Sequence, residues 1–309
     1  MDILITGASG FVGTALCMKF LERGERVTGI GTSRHHPFMD GAYFHGKDDM
    51  ESRFQWVSAD TTQPGEWQEV VKGADVIVNL TGRSIFGYWT ENYKQAIYTS
   101  RVRTTRNIVD ALSPQKEAVL LNTSAAGYYG DRGEDILIET DGPGDDFLAR
   151  VCIDWEDAAR SAQEKGSRVV LMRFGVVLGR GGGALGKMLP AFRFFAGGPL
   201  GKGLHWFPWI HMEDLIDAMI FFIENKDVTG PVNLVAPGAI RHKEFASALG
   251  RALHRPSFMP APEFLVKTFM GEMGRAFLSS QRAKPGVLED LGFRFRHGEI
   301  QGALESLVT

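Results

Sequence analysis

Met1-Asp2-Ile3-Leu4-Ile5-Thr6-Gly7-Ala8-Ser9-Gly10-Phe11-Val12-Gly13 is the stretch whose reading decides the fold. An apolar run reads as a buried strand, three glycines follow at the spacing G-x-x-G-x-x-G, and a helical pattern starts at once after them. Strand, tight turn and helix start, in that order, are what a chain needs to hold a dinucleotide. Gly7 permits a φ that other residues resist, Gly10 lets backbone N–H groups close on a pyrophosphate, and Gly13 lets the helix settle against the strand. The helix N-terminus adds unpaired N–H donors and a positive dipole end. Gly7, Ser9, Gly10, Phe11, Val12 and Gly13 are therefore the expected phosphate-side residues.

The next strand, Arg26 to Ile30, ends in Gly31-Thr32-Ser33-Arg34. A carboxylate here would bind the ribose 2′-hydroxyl of NAD, and the sequence has none. Ser33 and Arg34 instead supply a hydroxyl and a guanidinium, which suit the 2′-phosphate of NADP; an exposed loop arginine is the alternative. NADP(H) is the expected cofactor.

Further strands are expected at Phe54 to Ser58, Ala74 to Leu80, Ala118 to Ser124 and Arg168 to Phe174, with residues 35–53 a loop or irregular hairpin. Asn79-Leu80-Thr81-Gly82 closes the fourth strand with small residues, so Leu80, Thr81 and Gly82 are placed beside the cofactor. Helices are expected from Trp89 to Leu112, capped by Thr90, and from Phe147 to Lys165. This alternation predicts an α/β fold, a Rossmann-like doubly wound parallel sheet. Residues 1–179 would form the dinucleotide-binding domain. Residues 180–309 would form a smaller substrate-side α/β part, with later segments returning to the first. Gly181 to Pro208 is rich in glycine and aromatic residues and reads as an irregular ligand wall.

A net charge of −3 gives no reason to expect nucleic acid. Cys17 and Cys152 are the only cysteines, and each lies among apolar neighbours in a helical pattern, as buried free thiols in a reducing compartment would. The first strand begins at residue 2, leaving no room for a leader, and the apolar stretch Leu215 to Ile223 is too short to span a bilayer. The expectation is a cytoplasmic protein acting on a small molecule, without membrane or nucleic-acid partners. It would be a monomer or a homodimer paired through the two long helices, with no cluster at metal-ligand spacing.

Gly7-x-x-Gly10-x-x-Gly13, Asn79-Leu80-Thr81-Gly82, Tyr129-Gly130-Asp131 and Trp209-Ile210-His211-x-x-Asp214 together resemble an extended short-chain dehydrogenase/reductase of the sugar-nucleotide epimerase/dehydratase group. Trp89-Thr90, Ser100-Arg101, Arg173 to Gly183, Gly197 to Gly201 and Ser280-Gln281-Arg282 resemble one atypical branch of it. That branch is called simply the epimerase family, at times labelled a cell-division inhibitor, and carries a C-terminal domain of unknown function. The resemblance implies a Rossmann-like fold and NADP(H) chemistry on a small-molecule or sugar-nucleotide-like substrate.

Against that family the chain departs at the acid–base residues. Aligning Tyr129-Gly130 puts Ala125 where the family has a hydroxyl, and aligning Glu156 puts Leu148 and Cys152 where it has Tyr-x-x-x-Lys. A phenol reaches a working pKa only beside a cation, and leucine with a buried thiol cannot replace that pair. Ser124, Tyr128 and Tyr129 are the candidate substitute catalytic donors, unless the tyrosines pack their rings for structural reasons alone. The resemblance places Arg101 toward a cofactor phosphate or a substrate anion, or in a pair with a neighbouring carboxylate, and Val177 beside the nicotinamide. His211 reads as a helix cap or core residue. Two functions follow: an NADP(H)-dependent oxidoreductase or epimerase with nonstandard acid–base residues, or a catalytically silent NADP(H)-binding regulator or scaffold.

Overall fold

Parallel strands cover the first six segments of the chain, as the apolar runs require. The computed structural model describes residues 1–36, 38 and 48–308. Strands β1 (Asp2–Thr6), β2 (Arg26–Gly31), β3 (Phe54–Ser58), β4 (Val76–Asn79), β5 (Val119–Ala125), β6 (Arg168–Phe174) and β7 (Gly230–Leu234) form one sheet in the order β7-β6-β5-β4-β1-β2-β3. Every neighbouring pair is parallel. Strand order reverses between β1 and β4, and the register sets Thr6 beside both Ile30 and Asn79. Parallel α/β sheets open a ligand crevice at the carboxyl ends of such a reversal.

Helix α1 (Phe11–Glu22) ends at Gly24, whose φ of +86° terminates it. Helix α2 (Glu91–Ala111) starts where Thr90 accepts the Tyr93 N–H at 3.2 Å. Helix α3 (Phe147–Arg160) starts where Asp146 accepts the Ala149 N–H at 2.9 Å and runs on as a 3₁₀ turn through Lys165. Both faces of the sheet are covered. Leu16 and Phe20 of α1 meet Val76, Val78, Leu121 and Val170 on one side, and Val71, Ile108 and Ala159 meet Ile77, Leu120 and Leu171 on the other.

The rest of the chain divides between two tasks. Helices α4 (Gly183–Arg193), α5 (Met212–Glu224), α6 (His242–Ala252), α7 (Glu263–Phe277) and α8 (Ile300–Val308) follow β6. A separate core of Leu185, Phe207, Trp209, Phe245, Leu249 and Leu304 unites α4, α6 and α8. By contrast Leu215, Met219 and Phe222 of α5 join the α1 side of the sheet, and β7 extends the sheet beyond β6. The stretch read as an irregular wall is corrected in part, because α4 lies within it. Its buried residues Ala184, Leu185 and Phe192 are masked in sequence by flanking glycines and by Pro190 inside the helix.

Those glycines have a packing reason. A Cβ at Gly179, Gly182 or Gly183 would stand 2.7 Å from the ring of Phe11, so the chain wraps the first side chain of α1. Most of the loop expected at residues 35–53 lies outside the described residues, although Asp48–Ser52 is helical. Among the described residues no helix is long and apolar enough to cross a membrane.

Candidate functional site

The glycine turn sits at the switch point between β1 and β4. Gly7 has φ +69°, and a Cβ there would stand 2.9 Å from the Leu80 carbonyl carbon and oxygen. A Cβ at Gly13 would stand 2.3 Å from the Gly7 oxygen and 2.8 Å from the Ala8 Cα, so only glycine lets α1 start this close to the turn. Gly10 donates its N–H to the Gly7 oxygen at 2.9 Å and occupies the N-cap of α1 with no side chain to cap it. The first-turn N–H groups are thus left to an outside acceptor, and a phosphate oxygen meets that need. The same turn brings Leu80 and Thr81 against Gly7, joining two groups of residues that the sequence placed separately, and Gly82 follows against Arg101.

Beneath the turn lies a buried polar chain that the sequence reading did not find. Thr6 donates to Asn79 at 2.7 Å, Asn79 donates to Asn122 at 2.7 Å and to Thr105 at 2.9 Å, and Trp155 donates to Thr105 at 2.9 Å. It ties β1, β4, β5, α2 and α3 together at the crevice floor. Its one signal in the sequence was Thr6 and Asn79, polar residues ending otherwise apolar strands. Such a chain stabilises by fixing one geometry, since each member would be costly if left unpaired.

At the end of β2, Ser33 accepts the His35 N–H on its hydroxyl at 3.2 Å, and its carbonyl accepts the Trp56 indole N–H at 3.1 Å. Trp56 covers Gly31, where a Cβ would meet the ring at 2.6 Å. It therefore anchors the loop that carries Arg34, a role no motif announced. Arg34 is exposed, and its side chain has no hydrogen bond or ion pair among the described residues.

The hydroxyl candidates separate. Ser124 is buried and donates to Glu156 at 2.7 Å. Arg173, 2% exposed, donates to both oxygens of the fully buried Glu156 at 2.8 and 2.9 Å, and Arg160 adds a bond at 2.9 Å. Burial alone would lower the Arg173 pKa, but the bonds and charge of Glu156 outweigh it and raise the pKa. Tyr129 is fully buried; its hydroxyl accepts from Arg173 at 3.0 Å and lies 2.8 Å from Asn233 Oδ1. Burial pushes that phenol up to about 12. Ser124 and Tyr129 are thus held in a buried ion-pair network. Tyr128 is half-buried, with the Arg173 guanidinium 3.5 Å from its ring centroid, and its hydroxyl makes no hydrogen bond among the described residues.

Beside these groups lie Leu148 and Cys152, the two residues that the sequence resemblance aligned with a Tyr-x-x-x-Lys pair. Gly127 faces Leu148, and a Cβ at Gly127 would stand 3.5 Å from the Leu148 Cβ. Burial pushes the Cys152 thiol up to about 12, with Glu156 adding to the effect. Val177 sits in a short strand, Val176–Leu178, that pairs with Trp209–His211. Arg101 on α2 donates one nitrogen to the carbonyls of Arg83 and Ile97, both at 3.0 Å, and lies over the Trp155 ring at 5.2 Å. A carboxylate partner for Arg101 was one sequence alternative, and the described residues contain none within ion-pair distance. Desolvation lowers its pKa to about 10.

His211 caps α5, its Nδ1 accepting the Glu213 N–H at 3.1 Å, as a cap reading expects. It stacks on His297 at 3.7 Å, and His297 lies 3.1 Å from Glu213. His211, Glu213 and His297 present ligand atoms within 4.8 Å of one another, a cluster invisible to sequence spacing. While His211 caps α5 its Nδ1 accepts a backbone N–H, so the neutral ring carries its proton on Nε2, 3.3 Å from Ser306 Oγ, and offers a cation no free lone pair. Elsewhere a groove of about 370 Å³ between α2 and α3 is lined by Arg106, Asp110, Asp154 and Asp157 among others, and none of these belongs to the crevice.

Comparison with known proteins bears on the whole chain. Residues 3–235 match the NAD dependent epimerase/dehydratase family, and residues 261–307 match a domain of unknown function, DUF1731. The "Epimerase family protein SH2119" of Staphylococcus haemolyticus is 37% identical, over 99% of this chain and 99% of that protein. The "Epimerase family protein SDR39U1 homolog, chloroplastic" of Arabidopsis thaliana is 35% identical, over 100% of this chain and 87% of that one. The crystal structure of human epimerase family protein SDR39U1 (isoform 2) with NADPH aligns at TM-score 0.84 and 31% identity, covering 99% of both chains. A UDP-glucuronic acid 4-epimerase from Bacillus cereus shares the fold at TM-score 0.78 and 16% identity, over 99% of this chain and 97% of that one.

Proposed function

The chain belongs to the NAD dependent epimerase/dehydratase family, and from that premise we propose that it is an NADP(H)-dependent oxidoreductase or epimerase-like enzyme whose proton carrier is Tyr128. The observation that carries the reading is the joined glycine turn and Leu80–Gly82 loop, a cradle that a Cβ would fill at Gly7 and at Gly13. Gly7, Ser9, Gly10, Phe11, Val12 and Gly13 would hold the pyrophosphate through backbone donors, with Leu80, Thr81, Gly82 and Val177 flanking the nicotinamide half. Ser33 and Arg34 would take the 2′-phosphate, a choice supported by the NADPH in the human relative. The bound nicotinamide supplies hydride acceptance or donation.

The protein must supply the proton. A carbonyl reduced to an alcohol needs one at its oxygen, and an alcohol oxidised must lose one. Tyr128 carries the hydroxyl that no group among the described residues engages, while Ser124 and Tyr129 hold the Arg173–Glu156 pair in place. Arg173 lies against the Tyr128 ring face and so fixes its orientation.

Incubating the protein with NADPH and fractionated metabolite pools, while following cofactor oxidation and substrate mass, tests the reading. Oxidation that Tyr128→Phe lowers by about 10²-fold or more supports it. The neutral groups at Ala125, Leu148 and Cys152 favour a second reading, a silent NADP(H)-binding regulator. NADPH binding without turnover of any fraction would decide for that one.

A further inference from the structure

We propose that the substrate carries an anionic group, a carboxylate or a phosphate, and that Arg101 binds it, with Arg83 and Lys187 at the rim. The proposal rests on the reading above in taking the crevice between β1 and β4 as the reacting end, and it names the class of molecule that enters there.

Arg101 is the group that requires an explanation. Arg101 is half-buried; its guanidinium lies so close to Gly82 that a Cβ there would stand 3.0 Å from Cζ, and the Trp155 ring lies 5.2 Å from the same atom. Two carbonyl oxygens bond to the same nitrogen, Nη1. Nε and Nη2 make no hydrogen bond among the described residues. Withdrawing a cation from water costs several kcal/mol unless charge or hydrogen bonds offset it, and carbonyls on one edge offset it only in part. The free edge is the fork that matches a carboxylate or a phosphate in two parallel bonds.

The neighbourhood is built for negative charge. Arg83 lies over the Tyr93 ring at 5.1 Å, and Lys187 of α4 lies over the Phe86 ring at 5.1 Å; neither has a carboxylate partner among the described residues. Nearby Lys94 shows the contrast, bonded to Glu91 at 2.9 Å and Glu272 at 3.1 Å. The loop carrying Arg83 is rigidly set. Tyr93 donates to the Ser84 carbonyl at 2.8 Å, Ser100 accepts the Arg83 N–H at 2.8 Å, and Phe86 packs on Phe277 of α7 at 5.2 Å. Three cations from α2, α4 and the loop after β4 therefore border one segment, and the most buried of them presents its unused donors.

The test uses the full chain with and without NADPH. Succinate, phenyl phosphate and inorganic phosphate, with glycerol as a neutral control, are titrated by thermal shift and calorimetry against wild type, Arg101→Gln and the surface variant Lys187→Ala. At least one organic anion should bind wild type about tenfold or more tightly than Arg101→Gln, with a smaller loss in Lys187→Ala and NADPH affinity unchanged in both. Binding of succinate or of phenyl phosphate distinguishes the two anion classes. Equal anion binding by wild type and Arg101→Gln, binding of inorganic phosphate alone, or no binding at all overturns the proposal. Loss of NADPH affinity in Arg101→Gln also overturns it, by assigning the residue to the cofactor. Failure of wild type to bind NADPH would defeat the cofactor reading, and the anion titrations of the cofactor-free protein would still decide this one. If Arg101→Gln does not fold, anion binding that is unchanged in Lys187→Ala overturns the three-cation site.

Discussion

Replacing Glu156 by Gln tests whether the buried polar centre is structural support. The carboxylate is fully buried and accepts from Arg173 twice, from Ser124 and from Arg160. A glutamine keeps the shape but removes the charge, and it turns an NH₂ toward the guanidinium of Arg173. Arg160 is half exposed and can be rehydrated, whereas Arg173 cannot. Breaking a buried pair from one side costs roughly 3–5 kcal/mol. With an unfolding entropy of about 2.1 cal/mol/K per residue, that is a fall in Tm of roughly 5–8 °C for this chain, readable by calorimetry and urea titration. The double variant Glu156→Met/Arg173→Met should recover at least half of the loss, because apolar replacement of both partners removes the uncompensated charge. A Glu156→Gln protein within about 1 kcal/mol of wild type, or a double variant as unstable as the summed singles, would refute the assignment.

Two more outcomes follow from burial. Burial pushes Cys17 and Cys152 up to about 12, so a thiol reagent at mildly alkaline pH should label neither in the native protein and both in denaturant; rapid native labelling would contradict this. His211 is held down to about 4 by burial and by the His297 ring, below its unfolded value near 6.5. Its contribution to stability is complete above about pH 6.5, is lost as pH falls toward 4, and amounts to about 3 kcal/mol. His211→Asn keeps a cap acceptor, so its urea midpoint should fall less than that of wild type between neutral pH and pH 5. Parallel acid limbs would argue against the role.

Much of the fold was legible because its information is local. The strand at Arg168–Phe174 and the Thr90 cap are written in short apolar runs and in single residues that satisfy helix ends. The glycine turn was legible for the same reason. What was not legible depends on partners far apart in the chain. Asn79 reads as an ordinary strand end until β4 and β5 align it with Asn122. Trp56 reads as one aromatic in a strand until its ring covers Gly31, and Gly182 and Gly183 read as part of a binding wall until Phe11 fills the space beside them. The bonds of Ser124 to Glu156 and of Tyr129 to Arg173 join residues from separate elements, and the sequence does not show them. Long-range pairing of this kind leaves no period or spacing to detect.

The central claim, an NADP(H) site built from the glycine turn and closed by Arg34, is tested most directly by calorimetric titration of NADPH and NADH into wild type and Arg34→Ala. Charge-assisted bonds to a 2′-phosphate predict that the substitution weakens NADPH binding by about 10–100-fold and NADH binding by less than about twofold. Equal losses for both cofactors, or wild type without preference for NADPH, would contradict the claim.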